Sequence, residues 1–304
     1  MDLAQRIIRT SIDWSGTGLT LADFLAGRFT YRSKEEWISR INSGEITLNE
    51  RIVPPDTLLA MHDCIEYRPG DIEEPPADLD YRIVFEDDQL MVIDKPGNLC
   101  MHPAGPFFKH TLWHLLCTGF DHPIHFVNRL DRETSGLLLA AKDPKLAKKL
   151  LKNVAAKRYQ VIVHGEFPAD MVAEGFLTDA HSVVRKKRRF VDQMPDAPPF
   201  ESAKTAFVRQ RCANGLSLLE ATLFTGRMHQ IRATLFSLGY PVAGDKLYGL
   251  DETLYNKIST QSFTDDDRRK LILPNQALHC SNLEFTHPVN KQKFSFESSP
   301  AWSV

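Results

Sequence analysis

The chain has 304 residues, of which 42% are apolar, and its formal net charge is −2. This length allows a sizeable core and more than one domain, whereas the near-neutral charge excludes a globally basic nucleic-acid-binding protein. No apolar run reaches the roughly 18 residues that a membrane span needs, and the N-terminus lacks the apolar stretch of a signal peptide. We therefore expect a cytoplasmic protein without a membrane partner.

Cysteine and histidine give no sign of a metal site. The five cysteines are widely spaced and form no C-x-x-C pair, which argues against disulfides and against a thiolate zinc site. Five histidines lie between residues 102 and 125, and His110 and His114 have helical ligand spacing. Because neither an H-E-x-x-H pattern nor a cysteine partner accompanies them, we expect loop and packing roles and no metal.

The first part of the chain predicts two short helices and a hairpin. Thr20 can cap the first helix, and Ser33 to Glu36 has the spacing of a capping box for the second. Ile46 and Leu48 then alternate with polar residues, Asn49-Glu50 provides a turn, and Ile52-Val53 begins a return strand. We assign residues 1–70 to this small α/β module.

A linker and a larger domain follow. Residues 71–80 are rich in proline and acidic side chains and have no apolar periodicity, as is typical of a linker, so the second domain is expected over 81–304. Asp143-Pro144 predicts the start of an amphipathic helix over 145–156. The predicted strands cover residues 83–85, 90–93, 159–163, 204–208 and 217–223.

One carboxylate stands out in the segment from His125 to Leu139. Asp131 lies in a polar turn, is followed by the small residues Thr134-Ser135-Gly136, and precedes an apolar run suited to a buried strand. Reactive side chains are often held in this way. By itself the pattern is weak, because an Asp before Thr-Ser-Gly is more often a simple turn cap.

A second segment concentrates hydrogen-bond donors around Gly226. Arg227, His229, Gln230 and Arg232 could hold a phosphate, a carboxylate or the edge of a base, and a planar guanidinium suits a bidentate contact. The plainer interpretation is the start of a helix with surface charges.

Taken together and in this order, these segments resemble the RluA-type pseudouridine synthases over residues 81–296. The resemblance is carried by four ordered motifs, which are 83–103 with Asp94-Lys95-Pro96-Gly97, Arg129 to Gly136, Lys157-Arg158-Tyr159, and Thr225 to Arg232. It implies an α+β fold with a mixed, largely antiparallel sheet, flanking helices and a central RNA cleft. Asn128 and Thr234 depart from residues common in that family, which puts details of base and backbone contacts in doubt.

The resemblance implies an isomerase that converts uridine in RNA to pseudouridine. Carried over by position, the catalytic residues are Asp131 as nucleophile, Tyr159 as active-site tyrosine, and Arg227 as the arginine that pairs with Asp131. A carboxylate suits glycosidic-bond chemistry, Arg227 would favour its ionised form, and the Tyr159 ring could stack on an extruded uracil while its hydroxyl handles protons. The reaction is redox-neutral, so no cofactor is expected.

Several cations are candidates for RNA contact. Residues 43–49 resemble the alpha-L RNA-binding motif of a small-subunit ribosomal protein, which implies that residues 1–70 bind RNA through Arg28, Arg32 and Arg40. In the larger domain, Arg129 resembles the family arginine that fills the space left by the extruded base. The other candidates there are Arg132, Lys157, Arg185, Lys186, Lys187, Arg188, His229, Gln230 and Arg232. Each charge run could equally be a solvated surface.

Two other functions remain open. One is a non-catalytic RNA-binding or RNA-folding protein with the same fold, and the other is an RNA base hydrolase that releases free uracil. The small module favours ribosomal RNA over transfer RNA as the partner. We further expect a monomer.

Overall fold

The computed structural model describes residues 6–29, 31–70, 73–180, 182, 187–251, 253–259 and 262–303. They form two compact units. The first contains Met1–Pro75 and Pro103–Lys109, and the second contains Pro76–His102 and His110–Val304. The division at Pro75 lies within the expected linker, but residues 103–109, which we expected in the larger domain, belong to the first unit.

The first unit has three strands and two helices in the described residues. These are β1 (Ile8–Ser11), α1 (Leu21–Arg28), α2 (Lys34–Asn42), β2 (Ile46–Leu48) and β3 (Cys64–Tyr67).

The second unit holds the remaining elements. These are β4 (Arg82–Glu86), β5 (Leu90–Lys95), α3 (Leu112–Gly119), β6 (His125–Phe126), β7 (Ser135–Ala141), α4 (Pro144–Leu151), β8 (Val154–His164), β9 (Asp170–Asp179), β10 (Arg188–Val191), β11 (Phe200–Ala213), β12 (Leu216–Leu223), α5 (Gln230–Ser237), α6 (Thr253–Ser259), α7 (Asp265–Lys270), β13 (Leu278–Thr286) and β14 (Lys293–Glu297).

Side-chain caps fix both helices of the first unit. The Thr20 hydroxyl accepts the backbone N–H of Asp23, and Ser33 and Glu36 form a reciprocal capping box, as predicted. The sheet order is β1-β3-β2, and Trp37 is fully buried in the core below it.

The predicted return strand at Ile52-Val53 is wrong. The backbone closes a tight turn between Leu48 and Arg51, but the strand that pairs with β2 is β3, and Ile52 is exposed. Pro54 and Pro55 follow at once, and proline has no N–H with which to continue a strand ladder.

The sheet of the second unit is mixed and largely antiparallel, as expected. It has eleven strands, with the main order β10-β9-β11-β12-β8-β13-β7-β5-β4, while β14 pairs with β13 and β6 with β7. The pairing of β7 with β13 is parallel, and the other registered pairs are antiparallel. Every residue of β5 is buried, so this strand lies in the core that supports the turn ahead of β7.

Helix α4 is shorter than predicted. It ends at Leu151 instead of residue 156, and the chain enters β8 at Val154. The Asn153 side chain donates to the Lys149 carbonyl at the helix end, and Val154 already pairs with Phe285 of β13. Sheet pairing therefore outweighs the helical periodicity of residues 154–156.

Within the described residues, the structure has no helix with the length and apolarity needed to cross a membrane.

Candidate active site

Asp131 lies in the turn that leads into β7. Its carbonyl accepts the backbone N–H of Thr134 at 3.2 Å, and its side chain is 30% exposed. Gly136 allows β7 to start directly after this turn, because its φ is +104° and an added Cβ would lie 2.4 Å from the Cys280 carbonyl oxygen. The turn thus holds a partly exposed carboxylate at the edge of a close-packed sheet.

The side chain that pairs with Asp131 is Arg232. The Arg232 Nη1 donates to the Asp131 Oδ2 at 2.7 Å, and its Nε and Nη2 make a bidentate pair with Asp245 at 2.7 and 2.9 Å. Asp245 is fully buried and also accepts the backbone N–H groups of Leu247 and Tyr248. One guanidinium therefore joins two carboxylates, of which Asp131 alone is partly open to solvent.

The prediction that Arg227 pairs with Asp131 is wrong. The Arg227 Nε donates to the Ser202 carbonyl at 3.1 Å, and its Nη1 lies 3.7 Å from the carboxylate of Glu201. Arg227 precedes α5, whereas Arg232 stands in the first turn of that helix. His229 adopts a left-handed backbone conformation with φ +58°, which turns the chain between the two arginines. Their side chains therefore reach different partners.

His229 and Tyr248 complete the surroundings of the ion pair. The His229 Nδ1 shares a hydrogen bond of 3.1 Å with the Tyr248 hydroxyl, and its Nε2 lies 3.9 Å from the Asp131 Oδ1, beyond hydrogen-bond distance. The Arg232 guanidinium lies over the Tyr248 ring at 5.0 Å. His229, expected as an RNA contact, is therefore part of the wall around Asp131.

The electrostatics favour an ionised Asp131. Burial acts to raise the pKa of Asp131, but the charge and hydrogen bond of Arg232 outweigh it and hold the pKa below its usual value. The same balance lowers the pKa of Asp245. Burial lowers the pKa of His229, so its imidazole is neutral at neutral pH and adds no competing cation.

Tyr159 lies in β8, paired with Cys280 of β13, and is 5% exposed. Burial raises the pKa of Tyr159 well above its usual value, and the neighbouring Cys280 and Asp131 raise it further. The side chain is thus a neutral phenol near Asp131. In this state it can donate a hydrogen bond or present its ring, but it is not an ionised base.

Gln230 and Arg232 are not available to RNA, which corrects both predictions. Gln230 is 3% exposed, and its amide oxygen accepts from Thr225 and from the Arg227 backbone. The amide nitrogen of Gln230 donates to Lys204 and Thr205. Gln230 therefore fixes the loop ahead of α5, and the contacts of Arg232 are taken up by the two carboxylates.

The basic run at 185–189 is not a uniform phosphate surface. Arg185 and Lys186 lie outside the described residues. The predictions for Lys187 and Arg188 are wrong: Lys187 is 3% exposed with its ammonium 4.7 Å from the Phe236 ring centre, and Arg188 pairs with Glu201 at 2.9 Å. Both cations are used within the protein.

Other predicted cations remain near the surface. Arg129 is exposed, the Arg132 side chain is 34% exposed with Glu133 at 3.1 Å, and the Lys157 ammonium lies beside Gly226. In the first unit, Arg28 is exposed against the rings of Phe24 and Phe29. Arg32 and Arg40 are half-buried and have Glu36 and Glu45 as ion-pair partners.

Lys95 anchors the turn that carries Asp131, a role that the sequence did not reveal. Its side chain is fully buried, and its ammonium donates to the carbonyls of Pro96, Leu99 and Arg132 at 2.7, 3.0 and 3.1 Å. Burial lowers the pKa of Lys95 to about 7. Three convergent carbonyls hold β5 against the turn that carries Asp131. The Asp94-Lys95-Pro96-Gly97 motif was the sequence signal from which this role of Lys95 could have been predicted.

Glu133 and Asp245 were also missed. The Glu133 carboxylate accepts two hydrogen bonds of 2.8 Å from Lys246, the neighbour of Asp245. Asp245 and Lys246 therefore contribute one carboxylate to Arg232 and one cation to the Asp131 turn. Within the described residues, no cluster of three or more His, Cys, Asp or Glu side chains could hold a metal ion.

A family and a solved structure match this chain. The family described as RNA pseudouridylate synthase matches residues 89–237, a range that contains Asp131, Tyr159 and Arg232. A solved structure, the human RNA Pseudouridylate Synthase Domain Containing 1, is 19% identical, covers 75% of this chain and 86% of its own, and has a TM-score of 0.56. This match supports the α+β fold.

Two relatives place the chain more closely. The ribosomal large subunit pseudouridine synthase D of Zymomonas mobilis is 30% identical over 92% of this chain and 90% of its own length. The mitochondrial tRNA pseudouridine(32) synthase of Saccharomyces cerevisiae is 32% identical over 81% of this chain, which spans only 54% of that protein. On these matches the chain belongs to the RNA pseudouridine synthases, a family of isomerases, and to their RluA-type branch.

Proposed function

We propose that this protein isomerises uridines in ribosomal RNA to pseudouridine, with Asp131 as the catalytic carboxylate. The observation that carries the proposal is the Arg232 bridge. The bridge holds Asp131 ionised and oriented. Asp245 binds the buried edge of the guanidinium, and the Asp131 carboxylate remains open to a ligand.

The proposed chemistry needs no added group. The bond between C1′ and N1 of the uridine breaks, the uracil turns, and a bond forms between C1′ and C5. N1 gains a proton and C5 loses one, so the reaction is redox-neutral. Asp131 supplies a carboxylate for attack on the sugar or the base, or for removal of a sugar proton.

Tyr159 has a complementary role in this proposal. Because its phenol stays protonated beside Asp131, it can donate a hydrogen bond to the detached uracil or stack on its ring. Both actions keep the base in the site while it turns. The buried position of Tyr159 between β8 and β13 holds that ring fixed.

The substrate RNA would contact cations of both units. In the second unit the candidates are the exposed Arg129 and Arg227 and the partly buried Arg132 and Lys157, with Arg129 filling the space of the extruded base. In the first unit, residues 1–70 would act as an alpha-L RNA-binding module. We further propose a cytoplasmic, monomeric enzyme.

Ribosomal RNA is favoured over transfer RNA by the extent of the matches. The Zymomonas relative, named for the large ribosomal subunit, is matched over 90% of its length, whereas the yeast tRNA synthase is matched over 54%. The match to the Zymomonas relative covers 92% of this chain, so it extends into the small N-terminal unit.

The test is pseudouridine mapping with a matched pair of proteins. RNA from cells that lack this protein is incubated with the wild type or with Asp131→Asn, which keeps the size of the side chain and removes its charge. Carbodiimide-dependent reverse-transcription stops then locate pseudouridine. New stops in ribosomal RNA with the wild type alone would support the proposal.

Other results separate the alternatives. Stops in transfer RNA alone would keep the isomerase and overturn the substrate. Release of free uracil without new stops would indicate a base hydrolase. Tight RNA binding with neither product would leave a non-catalytic RNA-binding protein.

A further inference from the structure

The first unit contains a cleft that the proposed chemistry does not use. Its volume is about 30 Å³, and it opens to solvent. Its lining includes two arginines and two tyrosines, and the remaining residues are apolar or glycine. The lining residues are Arg6, Ile8, Tyr31, Arg32, Tyr67, Pro69, Gly105 and Pro106.

Two buried polar atoms at this cleft lack a hydrogen bond of good geometry among the described residues. They are the Nε of Arg32 and the hydroxyl of Tyr67, whose side chain is 2% exposed and which lies close to the Arg32 guanidinium. An unsatisfied buried polar group costs about 1–3 kcal/mol, so proteins rarely keep one without a use. Both atoms line the same cleft, which indicates a ligand that would satisfy them.

The charge of the cleft favours an anion. The Arg6 guanidinium donates to the Gly105 carbonyl at 2.6 Å, which fixes it at the edge of the cleft, and the Glu74 carboxylate is close enough to act on its charge. Segment 103–109 is itself held by Glu74, whose carboxylate accepts the backbone N–H groups of Phe108 and Lys109. Arg32 has its nearest carboxylate, Glu36, at 3.8 Å.

The cleft also offers an aromatic face. Tyr31 is 45% exposed, and its ring meets the buried Trp37 edge-on at 5.6 Å. The Arg32 guanidinium lies 5.8 Å from the Tyr31 ring centre. A supported but exposed ring beside a guanidinium is the arrangement on which unstacked bases are held in RNA-binding proteins.

We propose that this cleft binds one unpaired nucleotide of the RNA substrate. Arg6, the Nε of Arg32 and the Tyr67 hydroxyl would hold its phosphate, and the base would stack on Tyr31. Since the ligand is part of the substrate RNA, this inference rests on the proposed function. It adds to that function a binding site on the first unit that recognises a splayed nucleotide.

The central variant is Tyr67→Phe, which removes the orphan hydroxyl and nothing else. Because this hydroxyl makes no hydrogen bond of good geometry in the free protein, the unit should fold as before. Arg6→Gln removes one cation from the cleft. Arg9→Gln is the matched control, because Arg9 stands in the same strand region, pairs with Glu66 at 2.7 Å and does not line the cleft.

The experiment uses the full chain with Asp131→Asn as background, so that binding is measured without turnover. Filter binding of ribosomal RNA fragments should show about fivefold weaker binding for Tyr67→Phe and about tenfold for Arg6→Gln, against less than twofold for Arg9→Gln. Fragments carrying 4-thiouridine should crosslink to peptides containing Tyr31 or Tyr67. In the active enzyme, the same variants should raise KM and leave kcat unchanged.

Two outcomes would overturn the inference. Equal RNA affinity for all variants, with no crosslink at these tyrosines, would remove the site. Competition by inorganic phosphate that depends on Tyr67, without any effect of Tyr67→Phe on RNA affinity, would show a site for the free anion. Failure of pseudouridine formation would not affect these binding results, so the two proposals fail separately.

Discussion

The guanidinium of Arg232 donates a 2.7 Å hydrogen bond to the carboxylate of Asp131, 101 positions earlier in the chain. The other edge of the same guanidinium is held by Asp245, which is buried and has backbone donors of its own. In this order of contacts Asp245 is the buried anchor, and Asp131 is the carboxylate that stays partly open to solvent.

Replacement of Arg232 should therefore damage catalysis more than replacement of Arg227. A charge-assisted hydrogen bond contributes about 1.5–3 kcal/mol, so Arg232→Gln should lower kcat by roughly 100-fold. Arg227→Gln removes the same charge from an exposed side chain and should act mainly on KM. Single-turnover assays of both variants would show which arginine supports the chemical step. An equal loss of kcat in the two variants would contradict the assignment of Arg232 as the partner of Asp131.

The pH dependence of the reaction should reveal the same contact. Arg232 holds the pKa of Asp131 below its usual value, so the wild-type carboxylate stays ionised until the pH falls below the ordinary range. Arg232→Gln removes the largest effect that lowers this pKa, so that burial and the Asp245 carboxylate raise it. The acid limb of kcat/KM should then move to higher pH in a series of rate measurements; an unmoved limb would mean that Asp131 does not titrate in this step.

Lys95 should make the stability of the protein depend on pH. Its pKa is lowered to about 7 in the folded state, so between this pH and the usual value the unfolded chain binds more protons. Stability from this group is lowest below pH 7 and rises above it, by up to about 1.4 kcal/mol per pH unit.

Denaturant titrations of the wild type and Lys95→Met at several pH values between 6 and 9 would measure this effect. The difference in the free energy of unfolding between the two proteins should change with pH in the direction that favours the wild type at higher pH. Parallel profiles would show that Lys95 keeps its ordinary pKa among the three carbonyls.

Gly136→Ala should unfold or severely weaken the second unit. A Cβ at this position would meet the Cys280 backbone at 2.4 Å, in addition to the strain of φ +104°. We expect a loss of more than about 3 kcal/mol. Gly215→Ala is the control, since its φ is +75° but nothing lies within 4 Å of the added Cβ, and strain alone should cost about 1–2 kcal/mol. Similar thermal unfolding of the two variants would contradict the close approach of β7 and β13.

The sequence by itself located the features that depend on near neighbours in the chain. The caps at Thr20 and Ser33, the strands at residues 83–85 and 90–93, and the turn that carries Asp131 ahead of an apolar strand are local patterns, and the structure confirms them. The four ordered motifs also identified the family.

Tertiary structure decided which side chains meet. Arg227 and Arg232 are both plausible partners of Asp131 by spacing, and only the left-handed turn at His229 and the buried carboxylate of Asp245 select Arg232. Lys187 looks like a surface cation in sequence, yet the rings of Phe236 and Tyr248 bury it. Long side chains can face either solvent or core, and that choice depends on packing between distant segments, which no local pattern records.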